Sequence, residues 1–307
     1  MIEPVAHPAI AARCATSLGE DDLIAMRRFS APPDRLGENP LWNDRTGRLE
    51  WIDVLGETQS SCLADGSDLQ REALPGEPGG FAYRTQGGRL ISYRRRLALR
   101  EENGSEQDIP LPLFDVEQER FNDCACDSRG RLWVGTMAPD YRSPTGALYR
   151  LDPDLSFHRM DEGVIISNGI GWSPDETILY YCDSGRGIFA YDYDVETGSI
   201  SNRRSFATFG ESEGSPDGSA VDAEGFLWVA MAGGRQILRL APDGSVALKV
   251  PMTVDFPASV SFGGEGLKTL YITSMVPFDD TPPGPDDGLV FAFEPGVAGL
   301  PMHRFGG

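Results

Sequence analysis

Six versions of one short phrase recur along the chain, and no other feature restricts the fold as tightly. Each is a glycine or polar turn followed by a strand built on Leu with aromatic or β-branched neighbours: GRLEWIDV, GRLISYRR, GRLWVGTM, TILYYCDS, GFLWVAMA and KTLYITSM. Their aligned leucines, Leu49, Leu90, Leu132, Leu179, Leu227 and Leu270, stand 41, 42, 47, 48 and 43 residues apart. A unit of this kind cannot bury its apolar face alone, and a period of roughly forty to fifty residues rich in short strands is that of a four-stranded propeller blade.

A matching strand precedes each phrase and ends in a turn: LWNDRTG, FAYRTQGG, ACDSRG, IGWSPDE, AVDAEG and VSFGGEG. A third strand follows in most units, as in GALYRLDPD, GIFAYDYD, QILRLAPDG and GLVFAFEP. The 36 glycines and 23 prolines supply the turns that so many short strands need, and they interrupt any sustained helical periodicity. The expected fold class is therefore all-β, a six-bladed β-propeller of four-stranded blades. Only GVAGLPMHRFGG remains after the last third strand, so the final unit lacks an outer strand. The stretch Leu23 to Ser30 is expected to supply it, closing the ring and removing an open sheet edge. Residues 1–22 then read as a loosely held extension, and 23–307 as a single domain.

Bulk properties narrow the partners. A net charge of −20 repels phosphate backbones and anionic lipid, so neither nucleic acid nor a membrane is expected; a cation or a polyhydroxylated neutral ligand is. No run is long and apolar enough for a spanning helix, and the opening MIEPVAHPAIAARC has an early Glu3 and no apolar signal core, which reads as cytoplasmic. The five cysteines, Cys14, Cys62, Cys124, Cys126 and Cys182, are odd in number and lack a paired CxxC spacing, so neither a disulfide framework nor a zinc ribbon is indicated. Cys124 and Cys126 share one face of a strand and read as small buried hydrophobes. Oligomeric state leaves no mark.

Because the units are equivalent, residues at one distance before each marker leucine form a ring about the axis. Ten or eleven positions upstream stand Glu38, Gly80, Asn122, Asn168, Asp217 and Ser259. Turns carry Gly, Asn and Asp for their own reasons, so each residue alone reads as turn chemistry. Two carboxylates and two amides converging on one axis are different: they repel or stay underpaired unless a cation neutralises them. Oxygen donors with open positions suit Ca²⁺, Mg²⁺ or Mn²⁺, and Zn²⁺ tolerates them.

At these residues the sequence resembles the family of gluconolactonases, regucalcin (senescence marker protein) and luciferin-regenerating enzymes. The shared phrases are LGENPLW, RFNDCACDSRGRLWVGTM, SNGIGWSPD, SPDGSAVDAEGFLWVA and FGGEGLKTLYITS, running from about residue 36 to 275. The resemblance implies a six-bladed propeller with one divalent metal held by Glu38, Asn168 and Asp217. It also implies that Arg120 and Asn122 contact substrate, with Asp140 as a further acidic substrate residue in a variable loop. Two positions depart from the family pattern. Asn39 stands where Gly is usual and crowds or decorates the mouth, and Cys124 replaces the usual Gly after FND and alters the local backbone.

A lactone is an activated cyclic ester whose hydrolysis needs an oxyanion stabiliser and an activated water, and one cation (Ca²⁺, Zn²⁺, Mn²⁺, Mg²⁺ or Fe²⁺) supplies both. The expected function is a metal-dependent hydrolase opening a sugar lactone, with Asp217 as catalytic proton acceptor. The alternative is a non-catalytic calcium-binding or ligand-binding propeller. Arg120 has a plainer reading as a surface arginine paired with Glu117 or Glu119, and Trp42, Trp133, Trp172 and Trp228 read as blade packing. GESEG at 210–214 fits a nucleophile-elbow pattern without its strand-to-helix setting, and only His7, His158 and His303 are available as a base. Loops 139–145 and 276–287 are where lactone choice is expected to lie.

Overall fold

The computed structural model describes residues 26–29, 33–112, 114–115, 117–278 and 281–307. They form six four-stranded antiparallel sheets in a ring, the arrangement of a six-bladed β-propeller. The only helical pieces among the described residues are two single turns, Glu211–Glu213 and Glu265–Leu267. The innermost strands of blades 1 to 6 are Gly37–Asn43, Pro78–Tyr83, Arg120–Cys126, Ser167–Trp172, Ser215–Val221 and Pro257–Gly263. All six marker leucines fall on the second strands and are fully buried, each at 0% exposure. Burying such a side chain contributes roughly 1.5–3 kcal/mol, and its recurrence once per unit packs each blade against the next.

Single blades are braced by repeated polar contacts as well. In blades 3 and 5 a buried tryptophan donates to the aspartate of its own preceding turn, Trp133 Nε1 to Asp127 Oδ2 at 3.0 Å and Trp228 Nε1 to Asp222 Oδ2 at 2.9 Å. Trp42 stacks on Tyr271 with ring centroids 6.0 Å apart, which links blade 1 to blade 6. The tryptophans thus pack blades, as their repeated strand positions indicate. Cys124 and Cys126 are buried on one face.

Closure of the ring follows the expected course over the described part of the N-terminal stretch. Arg27–Phe29 pairs antiparallel with Val290–Phe293 and forms the outer strand of blade 6. Phe29 is buried against Tyr271 and Val290. The expected extension 1–22, like residues 23–25 and 30, lies outside the described residues.

The C-terminal segment was not anticipated as a structural element. Residues 298–306 cross from blades 5 and 6 to blades 2 and 3: Gly299 bonds to Leu267, Phe305 bridges Tyr83 and Thr85, and Gly306 bonds to Gly130. Phe305 is completely buried in the cluster of Leu90, Phe121 and Cys126. These contacts lie at the hairpin end between first and second strands, opposite the ends where the innermost strands begin.

Candidate metal and substrate site

Every innermost strand carries a β-bulge at the same place. The register slips between Glu38 and Leu41, Pro78 and Gly80, Phe121 and Cys124, Ser167 and Ile170, Pro216 and Ser219, and Pro257 and Ser259. A bulge frees one residue from the ladder and re-aims its side chain. Glu38, Asn122, Asn168 and Asp217 all sit at these bulges, where the strands begin. The strands also approach closely: a Cβ on Gly169 would lie 2.8 Å from the Asp217 carbonyl oxygen, and one on Gly218 would lie 2.0 Å from Ser259 Oγ. The glycines of SNG and PDG are required by that contact.

Hydrogen bonds join the ring residues across blades. Asn122 Nδ2 donates to Asn168 Oδ1 at 2.9 Å and to the Ser167 carbonyl at 2.7 Å. Asn168 Nδ2 donates to Ser184 Oγ at 2.7 Å, and Ser184 Oγ donates at 2.6 Å to the carbonyl of Pro216, next to Asp217. On the other side Asn39, adjacent to Glu38, accepts from the Phe81 amide at 2.8 Å and donates to Asp123 Oδ1 at 3.3 Å. A continuous polar seam therefore runs from blade 1 through blades 2, 3 and 4 to blade 5.

The electrostatics are unbalanced. Burial, with Asp217 and then Asp123 beside it, holds the Glu38 carboxyl well above the usual range. Burial, and then Asp123, does the same for Asp217. Burial pushes Asp123 up to about 6, against the pull of the Cys124 amide and Asn39. Among the described residues no lysine, arginine or histidine forms an ion pair with any of the three; Arg120 is only the smallest of the influences on Glu38. Asp217 is 6% exposed, and its Oδ1 is buried with no hydrogen-bond partner. Uncompensated buried carboxylates are costly, and oxygen donors of this kind fit a hard divalent cation. No three Asp, Glu, His or Cys side chains among the described residues gather closely enough to form a metal cage, and the Asn168 amide, 5% exposed, is a further oxygen donor at the same strand ends.

Arg120 is buried rather than at the surface. Its Nη2 donates to the Tyr141 hydroxyl at 3.2 Å, its Nη1 donates to Asn122 Oδ1 at 3.4 Å, and the guanidinium lies 5.0 Å from the Tyr141 ring centre. Its Nε has no partner. The surface pairing with Glu119 is not formed: Glu119 is buried on the blade side, accepting from Thr136, Tyr149 and Arg159. Asp140 is the expected residue that neither a hydrogen bond nor a charge interaction joins to the others. It is exposed, and its carboxylate accepts from the Arg142 and Ser143 amides at 2.9 and 2.8 Å and from Ser143 Oγ at 2.5 Å, as an aspartate does when it shapes its own loop. Tyr141, with φ of 59°, occupies the contact with Arg120 instead.

Sequence reasoning missed Asp123, Tyr141 and the contacts of Asn39. Asp123 follows Asn122 directly but stands nine positions before Leu132, one short of the ten or eleven that define the ring, so the spacing passes over it. Tyr141 carried no signal.

The chain belongs to the family described as SMP-30/Gluconolactonase/LRE-like region, whose sequence model matches residues 36–276. It is 35% identical over 284 residues to a 6-deoxy-6-sulfogluconolactonase of Pseudomonas putida, covering 90% of this chain and 96% of that protein. It is 34% identical over 283 residues to regucalcin of Oryctolagus cuniculus, covering 88% and 95%. Among solved structures it superimposes on a calcium-binding protein, regucalcin, from Agrobacterium tumefaciens with a TM-score of 0.83 at 26% identity, covering 91% of this chain and 96% of that one. Relatives named as lactonases place the chain among proteins that hydrolyse lactones in general. No helix among the described residues is long and apolar enough to cross a membrane.

Proposed function

We propose that the chain is a divalent-cation-dependent hydrolase that opens a sugar lactone, with the cation held by Glu38, Asn168 and Asp217. The observation that carries this reading is the buried, unpartnered Oδ1 of Asp217 beside two further carboxylates that no basic side chain of the described residues neutralises. When bound, a divalent cation supplies polarisation of the lactone carbonyl and a lowered pKa for water.

Asp217 accepts the proton of the attacking water at its free carboxylate oxygen. That oxygen, Oδ1, is buried and accepts no hydrogen bond from the described residues, so it is free to take the proton. The water oxygen bonds to the carbonyl carbon, the ring C–O bond breaks, and the proton held by Asp217 passes to the departing ring oxygen. Lactone and water thus become one hydroxy acid, which releases a proton on ionising. Arg120 and Asn122, joined at 3.4 Å, orient the sugar hydroxyls by donating and accepting hydrogen bonds. Asp140 shapes the loop that presents Tyr141 to Arg120.

The names of the relatives, a sulfogluconolactonase and a calcium-binding regucalcin, support both halves of the reading. The test is a panel of aldonolactones with chelator-stripped protein and added Mn²⁺, Zn²⁺, Mg²⁺, Fe²⁺ or Ca²⁺, following acid release with a pH indicator. Acceleration with at least one pair, abolished by chelation, is expected. Stoichiometric cation binding with no acceleration for any pair would instead identify a non-catalytic calcium-binding propeller.

A further inference from the structure

Asn39 occupies an unusual backbone position. Its φ is 48°, in the left-handed region that favours glycine and that asparagine tolerates better than other side chains. The side chain is 6% exposed and fully engaged. Its Oδ1 accepts from the Phe81 amide at 2.8 Å; its Nδ2 donates to Asp123 Oδ1 at 3.3 Å and to the Cys124 carbonyl at 3.4 Å. Asp123 Oδ1 also accepts from the Cys124 amide at 2.8 Å. The Asn39 side chain and the Cys124 backbone amide therefore converge on one carboxylate oxygen.

We propose that Asn39 is a positioning residue that fixes Asp123 as a third negative charge at the cation site, and so strengthens cation binding without itself touching the ion. This rests on the cation-dependent reading given above. Asp123 stands beside Asn122, whose Nδ2 donates to Asn168 Oδ1 at 2.9 Å, and is tied at 3.3 Å to Asn39, the residue after Glu38; its carboxylate is thus held by the neighbours of two proposed ligands without joining them in a cage. A carboxylate placed there attracts a divalent cation through space. The attraction depends on the carboxylate staying in place, which the Asn39 donor and the Cys124 amide, at 2.8 Å on the same Oδ1, secure. Asn39 also ties the first innermost strand to the second and third, so the charge is held relative to Glu38, the neighbouring residue in the chain.

Asn39→Gly is a clean probe, because glycine accepts the positive φ and only the side chain is lost. Chelator-stripped full chain is titrated calorimetrically with MnCl₂ and CaCl₂ as the parent, Asn39→Gly, Asp123→Asn and the double variant. Asn39→Gly is expected to weaken cation binding roughly five- to tenfold, and Asp123→Asn about tenfold or more. In the Asp123→Asn background the Asn39→Gly change should have no further effect, which a merely structural role would not produce. Unchanged affinity in Asn39→Gly, or effects that simply multiply in the double variant, would overturn the proposal while leaving the cation reading intact. A parent protein that binds neither cation would overturn both.

Discussion

Asn122 Nδ2 donates to Asn168 Oδ1 at 2.9 Å across 46 residues of sequence, joining the innermost strands of blades 3 and 4 at their shared end. The residue expected to orient substrate thus holds the residue expected to bind the cation. Asn168→Ala removes one acceptor of Asn122 and the donor to Ser184, but Asn122 keeps the Ser167 carbonyl and Ser184 the Pro216 carbonyl, so the cost in stability is about 1 kcal/mol. The variant should lose roughly 100-fold in cation affinity and a smaller fraction of its stability. Calorimetry and urea unfolding measure the two separately, and a cation affinity equal to the parent's contradicts the assignment.

Asp217→Asn should lower lactone turnover by several powers of ten while leaving the fold intact, on the order of other essential proton acceptors. Its cation-free form should also melt at a higher temperature than the parent, because a buried carboxylate without an ion pair has been neutralised. Near-full activity, or a lower melting temperature in chelator, would count against the role.

The same carboxylates set a pH dependence. Asp123 has an ordinary carboxyl pKa of 3.8 when unfolded and about 6 when folded, and Glu38 and Asp217 are shifted in the same direction. A carboxyl with a raised folded pKa keeps its proton longer in the native state, so between those values the folded chain binds more protons than the unfolded one. Stability of the cation-free protein should therefore fall as pH rises through about 4 to 6 and beyond. Melting temperatures measured against pH in chelator should show this slope, and saturating cation should reduce it. Identical slopes in the two conditions contradict the proposed coupling.

Ring closure makes a separate prediction. Arg27–Phe29 supplies the outer strand of blade 6, and Phe29, 7% exposed, packs 6.0 Å from Tyr271. Phe29→Ala should destabilise the fold by about 3–5 kcal/mol, and deletion of residues 1–30 by at least as much. Thermal unfolding checks both, and an unchanged melting curve for the deletion refutes the closure.

The architecture was readable because one leucine per unit must be buried in every blade, which leaves an arithmetic trace in the chain. The equivalent placement of Glu38, Asn122, Asn168 and Asp217 at the strand starts was readable for the same reason. The bulges that aim them were not, since a bulge is a property of paired strands and leaves only a one-residue uncertainty in spacing. Asn39 read as a residue that crowds or decorates the mouth; its burial and the use of its hydrogen-bonding groups depend on a positive φ that no spacing reveals. Asp140 read as acidic and close to the site, but its oxygens serve its own loop. The C-terminal crossing over 298–306 has no repeat counterpart, so nothing periodic could announce it.

Crystals of the chelator-stripped protein soaked in MnCl₂ and measured for anomalous scattering locate the cation directly. One strong peak is expected at the start of the innermost strands, bonded to Glu38, Asn168 and Asp217 through their side-chain oxygens. Manganese absent from that position, or bound only elsewhere, would contradict it.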